Sequence, residues 1–401
     1  MAIEIRTVSD DEVPAYRHCL MQVFGDDVES DPDGDRRMCA LIPATQRWAA
    51  FDGSQIVATA GTFDHAIGVP GGGTLPMAGL TMVTVRPTHR RKGILRQLID
   101  AHLADARARG YAISGLWATE PAIYTRFGYG LAACADVVAI DEARTLELRE
   151  RDTDAIELVD EATARAVLPA VYARATAARP GALRRSELWW KERRFLEAPF
   201  VRAGASKRRH VIARRDGEIV GYLVYRQRGA FEPTKPNGKV EINELLGVDA
   251  RAELSLWQFA VRIDLFPNVG WWNAPVDDAL WWAVHDPRRI SRRRTDTLWL
   301  RIDDVAATLA ARTYPADGKL VFDSHGATWE LVVSGGRATC KPSLGTPSLR
   351  FEATALASVV LGTEAPSRLA RVELVHGSAD ALAVADRMFA SAIAPWCPEV
   401  F

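Results

Sequence analysis

The chemistry this chain can do is concentrated in a cationic turn with one glycine. In VRPTHRRKGILRQLI, Arg90, Arg91 and Lys92 precede Gly93, and an apolar-periodic segment begins at Ile94. Binding a diphosphate takes donors converging from several directions and a favourable potential. A glycine turn entering a helix supplies free backbone N–H groups and the positive end of the helix dipole. The three cationic side chains add charge at the same place, and Gly93, lacking a Cβ, lets the backbone approach closely. Such a turn alone would serve equally as a solvated surface. Its position after the apolar run LTMVTV and before a long amphipathic segment favours phosphate binding. The spacing is not a Walker A pattern, and no GxGxxG occurs.

The elements that position this turn must be found in a chain of 401 residues, too long for one ordinary hydrophobic core. Hydrophobic residues make up 48% and charged residues 25%, the balance of a water-soluble globular protein. With a formal net charge of −1 there is no global bias toward nucleic acid or an anionic membrane, so charge arguments must be local. The five cysteines, Cys19, Cys39, Cys134, Cys340 and Cys397, contain no CxxC pair. They read as buried reduced thiols and indicate neither a zinc ribbon nor a disulfide framework. The start, MAIEIRTVSDDEV, lacks the features of a signal peptide, and no run approaches the roughly 18 apolar residues of a membrane span. The expected location is cytoplasmic.

Ile3, Ile5 and Val8 fit a first strand, and Val13, Tyr16, Leu20, Val23 and Phe24 fit a helix over 11–24. An acidic loop carrying Asp26, Asp31, Asp33 and Asp35 follows, the last three expected in solvent. Asp52-Gly53 predicts a hairpin and Gly71–Gly73 another turn, so an antiparallel meander leads into a strand at 80–85. The helix after the glycine turn buries Leu95, Leu98, Ile99, His102 and Leu103 and ends at Gly110. A strand over 111–117, a short helix over 121–128 and a closing strand over 135–140 complete the first domain.

A second module repeats this order: a helix over 162–177, strands over 210–213, 220–225 and 240–246, and a helix over 254–264. It has no phosphate cradle, since GVDARAELSLW follows the strand where the basic glycine turn would stand. The run RRISRRRTDTLWLRI from Arg288 reads as a solvated junction that salt-bridges neighbouring domains; no aromatic is interleaved with its arginines, which argues against nucleic acid. The remainder predicts a small α+β domain: a helix over 305–312, strands over 319–323, 329–334 and 337–341, a helix capped by Thr354, and a last helix from Ala379. The expected boundaries are 1–140, 141–289 and 290–401.

The turn resembles the acetyl-CoA motif of the GNAT superfamily of N-acetyltransferases, Arg/Gln-x-x-Gly-x-Gly/Ala, with Leu95 replacing the final small residue. The longer pattern, PTHRRKGILRQL followed by ATEPAIYTRFGYG, resembles the enhanced intracellular survival (Eis) family. That resemblance implies a mixed α/β (α+β) fold: an active GNAT domain, a degenerate second one, and a domain like sterol carrier protein type 2. It implies acetyl-CoA as co-substrate, no metal, and a homohexamer. Val83 and Val85 would pair with the pantetheine arm, and Arg90, Arg91, Gly93 and Ile94 would hold the diphosphate. Thr119, beside Glu120, would also touch the cofactor. Tyr124 would be the general acid and the carboxylate of Phe401 the general base. Phe24, Asp26, Met82, Trp117 and Glu399 would meet the amine substrate, an aminoglycoside or a lysine-like or polyamine amine. A tyrosine with pKa near 10 suits protonation of a thiolate leaving group. A non-catalytic CoA-binding regulator and a lipid carrier acting through the last domain are the competing readings.

Overall fold

The computed structural model describes residues 3–401. Strand β1 (Glu4–Thr7) leads into helix α1 (Val13–Phe24), whose end is marked by Gly25 at φ 78°. Helix α2 (Gly34–Leu41) lies within the segment read as a loop. It forms because Asp31 and Asp35 are tied to arginines, although Asp35 stays partly exposed. Asp31 pairs with Arg37, and Asp35 Oδ1 lies 2.7 Å from Nη1 of Arg17, so two nearly buried guanidinium groups draw the acidic run onto α1. Strands β2 (Arg47–Asp52), β3 (Gln55–Gly68) and β4 (Thr74–Val85) form the expected meander. Helix α3 (Ile94–Ala108), strand β5 (Ile113–Trp117) and the short strand β6 (Gly130–Leu131) follow. The segment after Pro121 makes two 3-10 turns rather than one helix.

Two sheets of seven strands form the body of the molecule, and they exchange edges. Strand β7 (Cys134–Ile140), expected to close the first sheet, lies in the second, between Asn268–Pro275 and Ser291–Asp296. Conversely, Leu298–Ile302 joins the first sheet antiparallel to β5. The arginine-rich run is therefore an edge strand and not a solvated junction. Arg292 and Arg294 both pair with Asp136, which is almost fully buried on β7. The second sheet carries helices Glu161–Ala175 and Ala250–Ala260, and its core includes Trp257 and Trp271. The last domain packs helices on a five-stranded sheet. Its helix Ala353–Val360 is preceded by Glu352 and not by Thr354 at the cap.

The final residues leave that domain and run back over the other two. Trp396 is buried in the second core, with its backbone N–H on the Pro180 carbonyl and its indole N–H on the Asn273 carbonyl. Phe401 is buried against the first sheet, its ring 4.8 Å from that of His65.

The first sheet is pinned to α3 by a buried polar chain. Thr62 Oγ1 lies 2.6 Å from His102 Nδ1, and His102 Nε2 lies 2.7 Å from Ser114 Oγ. Ser114 Oγ in turn lies 2.7 Å from the Tyr129 hydroxyl. Burial pushes the His102 imidazole down to about 3 and that of His65 down to about 4. Both are therefore neutral when folded, whereas in the unfolded chain they take up protons near pH 6.5. Their contribution to stability is present above that value and is lost as pH falls below it. Urea unfolding between pH 7 and 4.5 is expected to show stability falling with a slope of up to about 1.4 kcal/mol per pH unit for each proton taken up. His102→Gln should reduce that slope, and an unchanged slope would exclude His102 from the linkage.

Candidate active site

Strands β4 and β5 run parallel, but they pair only where Met77–Gly79 meets Ile113–Gly115. Past Gly79 they part, while Leu298–Ile302 covers the opposite edge of β5. The backbone of β4 from Leu80 to Val85 is left without a strand on that edge, and unpaired peptide groups there need partners. A bulge occurs in the same stretch. Thr59 pairs with Thr84 and Gly61 with Thr81, so Ala60 faces both Met82 and Val83. Met82 adopts φ 55°, a conformation costly for a side-chain-bearing residue. The hydroxyl of Thr59 holds it there by donating to the Met82 carbonyl at 2.7 Å.

On one side of the bulge is a cavity of about 530 Å³. Val83 and Val85 line it from the β4 edge, and Arg90, Arg91, Gly93 and Ile94 line it from the turn into α3. Arg91 at φ 64° and Gly93 at φ 78° fold the turn back on itself. A Cβ on Gly93 would meet nothing within 4 Å, so glycine is needed there for its backbone angle rather than for space. No side chain caps the N-terminus of α3, which leaves its first N–H groups for an anion. The exposed cations beside it suit the same ligand. Thr119, Glu120, Tyr124 and Phe24 also line the cavity.

The matching position in the second domain is closed. Its helix Ala250–Ala260 is capped by Asp249, whose carboxylate accepts from the Ala252 N–H at 2.9 Å and pairs with Arg215. A carboxylate of the chain itself occupies the anion position.

Tyr124 is half-buried between the two 3-10 turns, with its ring 6.0 Å from that of Tyr129. Burial and the Glu120 charge push its hydroxyl up to about 12, so it holds its proton at neutral pH.

On the other side of the bulge a second cavity, of about 490 Å³, opens between the first two domains. Met82 lines this one, and Val83, the next residue, lines the first, so the bulge stands between the two cavities. Asp26 stands exposed in its wall. Glu399 also lines it, but its carboxylate is already bound. It pairs with Arg185, accepts from Trp189 Nε1 at 2.9 Å, and lies 3.9 Å from Arg194. Burial alone would raise its pKa, but Arg185 and Arg194 hold it below the usual range. Trp117 sits behind the wall, its ring 5.8 Å from that of Trp272, which does line the cavity.

Arg193, Trp272 and Asn273 line this cavity and were not identified from sequence. Arg193 comes from a π-helical turn, Trp190–Arg194, a local departure frequent at functional sites. The motif WWKERRF carries the signal, but its meaning depends on a cavity formed between domains. Among the described residues no group of three or more metal-ligating side chains is assembled.

Residues 4–132 and 181–302 each match a family described as an acetyltransferase (GNAT) domain, and residues 291–398 match a sterol carrier protein domain. The whole chain is 34% identical over 411 residues to an uncharacterized N-acetyltransferase of Streptomyces avermitilis, covering 100% of both. It is 28% identical to N-acetyltransferase Eis of Mycobacterium bovis over 92% of each chain. The crystal structure of Eis1 from Mycobacterium abscessus superposes with TM-score 0.85 at 29% identity, over 99% of this chain and 100% of that one. The chain belongs to the Eis family of GNAT N-acetyltransferases. Two GNAT domains and a sterol-carrier-like domain follow in the expected order, and the fold implies acetyl-CoA as co-substrate. The parted strands and the uncapped helix of the first domain fit such a molecule: a free strand edge for an amide-bearing arm and a cationic N-terminus for a diphosphate.

Replacing Arg90 and Arg91 together by Gln is expected to weaken acetyl-CoA affinity roughly ten- to a hundredfold and to flatten its salt dependence. Calorimetric titration at low and high salt measures both. Unchanged affinity would remove these side chains from the cradle.

Proposed function

We propose that the chain transfers an acetyl group directly from acetyl-CoA to an amine held in the second cavity. What supports this reading best is that the two cavities are lined by adjacent residues of the Met82–Val83 bulge, with a protonated Tyr124 in the wall of the first. Acetyl-CoA supplies the thioester that the amine nitrogen attacks. Val83 and Val85 hold the pantetheine arm, and a backbone N–H of this strand polarises the acetyl carbonyl. Arg90, Arg91, Gly93 and Ile94 hold the diphosphate, with Thr119 and Glu120 beside them. Tyr124 delivers its proton to the departing sulfur, and the carboxylate of Phe401 takes the proton lost by the amine. Phe401 is suited to this because its ring is anchored: a Cβ on Gly79 would come within 3.1 Å of it, so β4 keeps a glycine beneath the ring.

Aminoglycosides and lysine-like or polyamine amines are the acceptors to test, with Asp26 as the ammonium ligand. Residues 1–140, 141–289 and 290–401 serve in this reading as catalytic, degenerate and sterol-carrier-like units, with β7 and Leu298–Ile302 exchanged between the first two sheets. A homohexamer and a cytoplasmic location belong to the same reading. The five free thiols suit a reducing compartment, and no helix among the described residues is long and apolar enough to cross a membrane.

Tyr124→Phe is expected to lower kcat by roughly a hundredfold with little change in acetyl-CoA affinity. Since burial raises the Tyr124 pKa, the wild-type rate should not fall through loss of this proton below about pH 10. Near-wild-type turnover of the variant in a thiol-release assay would remove Tyr124 from the acid role. A peptide extension after Phe401 should also abolish most of the turnover while leaving acetyl-CoA binding intact. Full activity of the extended protein would exclude the terminal carboxylate. Acetyl-CoA binding with no turnover of any amine would favour a regulator.

A further inference from the structure

The second cavity is charged in a way that a polycationic acceptor would not meet well. Arg17, Arg37, Arg193, Arg194 and Arg208 all line it. Four of them are neutralised locally. Arg17 and Arg37 pair with Asp35 and Asp31, Arg194 pairs with Glu244 at 3.1 Å, and Arg208 pairs with Glu197 at 3.1 Å. Arg193 differs. Its one hydrogen bond is from Nη2 to the Val400 carbonyl at 2.7 Å, and it has no carboxylate partner among the described residues. Its guanidinium lies over the Trp189 ring, 5.1 Å from the centroid, so it is held in place rather than free in solvent. A guanidinium held on an aromatic face with unused donors is a ready partner for a carboxylate.

A second group in the same wall also lacks a partner. Asn273 is 4% exposed, and its amide Nδ2 donates to the Cys397 carbonyl at 3.1 Å, which fixes the orientation of the side chain. Its Oδ1 is buried without a hydrogen bond. The cavity therefore offers an unpaired cation and an unpaired acceptor, on walls that include the apolar side chains of Leu41, Ile42, Met82 and Trp272.

We propose that the acceptor is an amine that also carries a carboxylate and an apolar group, of the amino-acid or short-peptide class, rather than a polycation. Its carboxylate binds Arg193, an N–H donates to Asn273 Oδ1, and its apolar part lies on the Met82 and Trp272 wall. This rests on the acetyl-transfer reading and narrows it, since a lysine-like amine with its carboxylate fits and an aminoglycoside does not.

The test uses the full chain, acetyl-CoA and matched pairs of amines, phenylalanine with phenylalaninamide and leucine with leucinamide, beside tobramycin. Rates are compared at equal fractions of free amine, because removing the carboxylate charge lowers the amine pKa. The acids are expected to exceed their amides in kcat/KM by roughly tenfold or more, the worth of one charge-assisted bond. In Arg193→Gln that ratio should collapse toward one, and Arg193→Lys should restore part of it. Calorimetric titration with N-acetylphenylalanine gives a readout independent of turnover, with affinity lost in Arg193→Gln and acetyl-CoA affinity retained. Turnover of tobramycin or the amides at a ratio that Arg193→Gln does not move would overturn the acceptor class and leave acetyl transfer standing. Acetyl-CoA binding with no product from any amine would overturn both.

Discussion

The clasp on Glu399 is the interaction on which the arrangement of the three domains depends. This carboxylate comes from the last residues of the chain, yet its partners Arg185, Trp189 and Arg194 belong to the second domain. Arg185 also holds Glu244, and the Tyr222 hydroxyl donates to the same Glu244 at 2.6 Å. Every charge in this cluster is compensated, which makes its burial tolerable, but its net contribution to stability is small because desolvation offsets attraction. Its value is directional. A hydrophobic tail could settle on the second core in several registers; a tail whose carboxylate must reach two guanidinium groups has one. That register puts the Trp396 indole on the Asn273 carbonyl and the Phe401 ring over Gly79.

The same register reaches the bulge on β4. The pairing of β4 with β5 stops at Gly79, and the far edge of β5 is covered by Leu298–Ile302, a strand that arrives only after the chain has built the second domain. The free edge of β4, the cationic N-terminus of α3 and Phe401 thus come together from three distant stretches. Rigid strands carry much of the first cavity, while the second is assembled from α1, the π-helical turn and the tail.

This explains what could be read from the sequence and what could not. The glycine turn and the meander were legible because each is specified locally, by turn chemistry and side-chain period, whereas the YTRFGYG segment was legible only through its resemblance to the Eis family. The edge exchange was not, since β7 and Ser291–Asp296 look like any alternating or basic stretch until they pair. Asp31 and Asp35 were read as solvated because their partner Arg17 lies on another helix. Glu399 suggested a ligand for an amine because a terminal acidic residue reads as free; its partners lie more than two hundred positions earlier. Arg193 was hidden for the same reason in reverse. In WWKERRF it is one cation among three, and only the fold shows that it is left without a carboxylate.

The second domain therefore has a role that does not depend on catalysis. Its own anion position is filled by Asp249, so a phosphate would have to displace a bonded carboxylate of like charge. What it contributes instead is a wall: Arg193, Arg194, Arg208, Trp272 and Asn273 all face the acceptor cavity. In the proposed reading, chemistry then resides on the first sheet and selectivity largely on the second. If that wall selects the amine as proposed, a substitution in it alters which amine is admitted while leaving the first cavity untouched, because the two cavities have no lining residue in common.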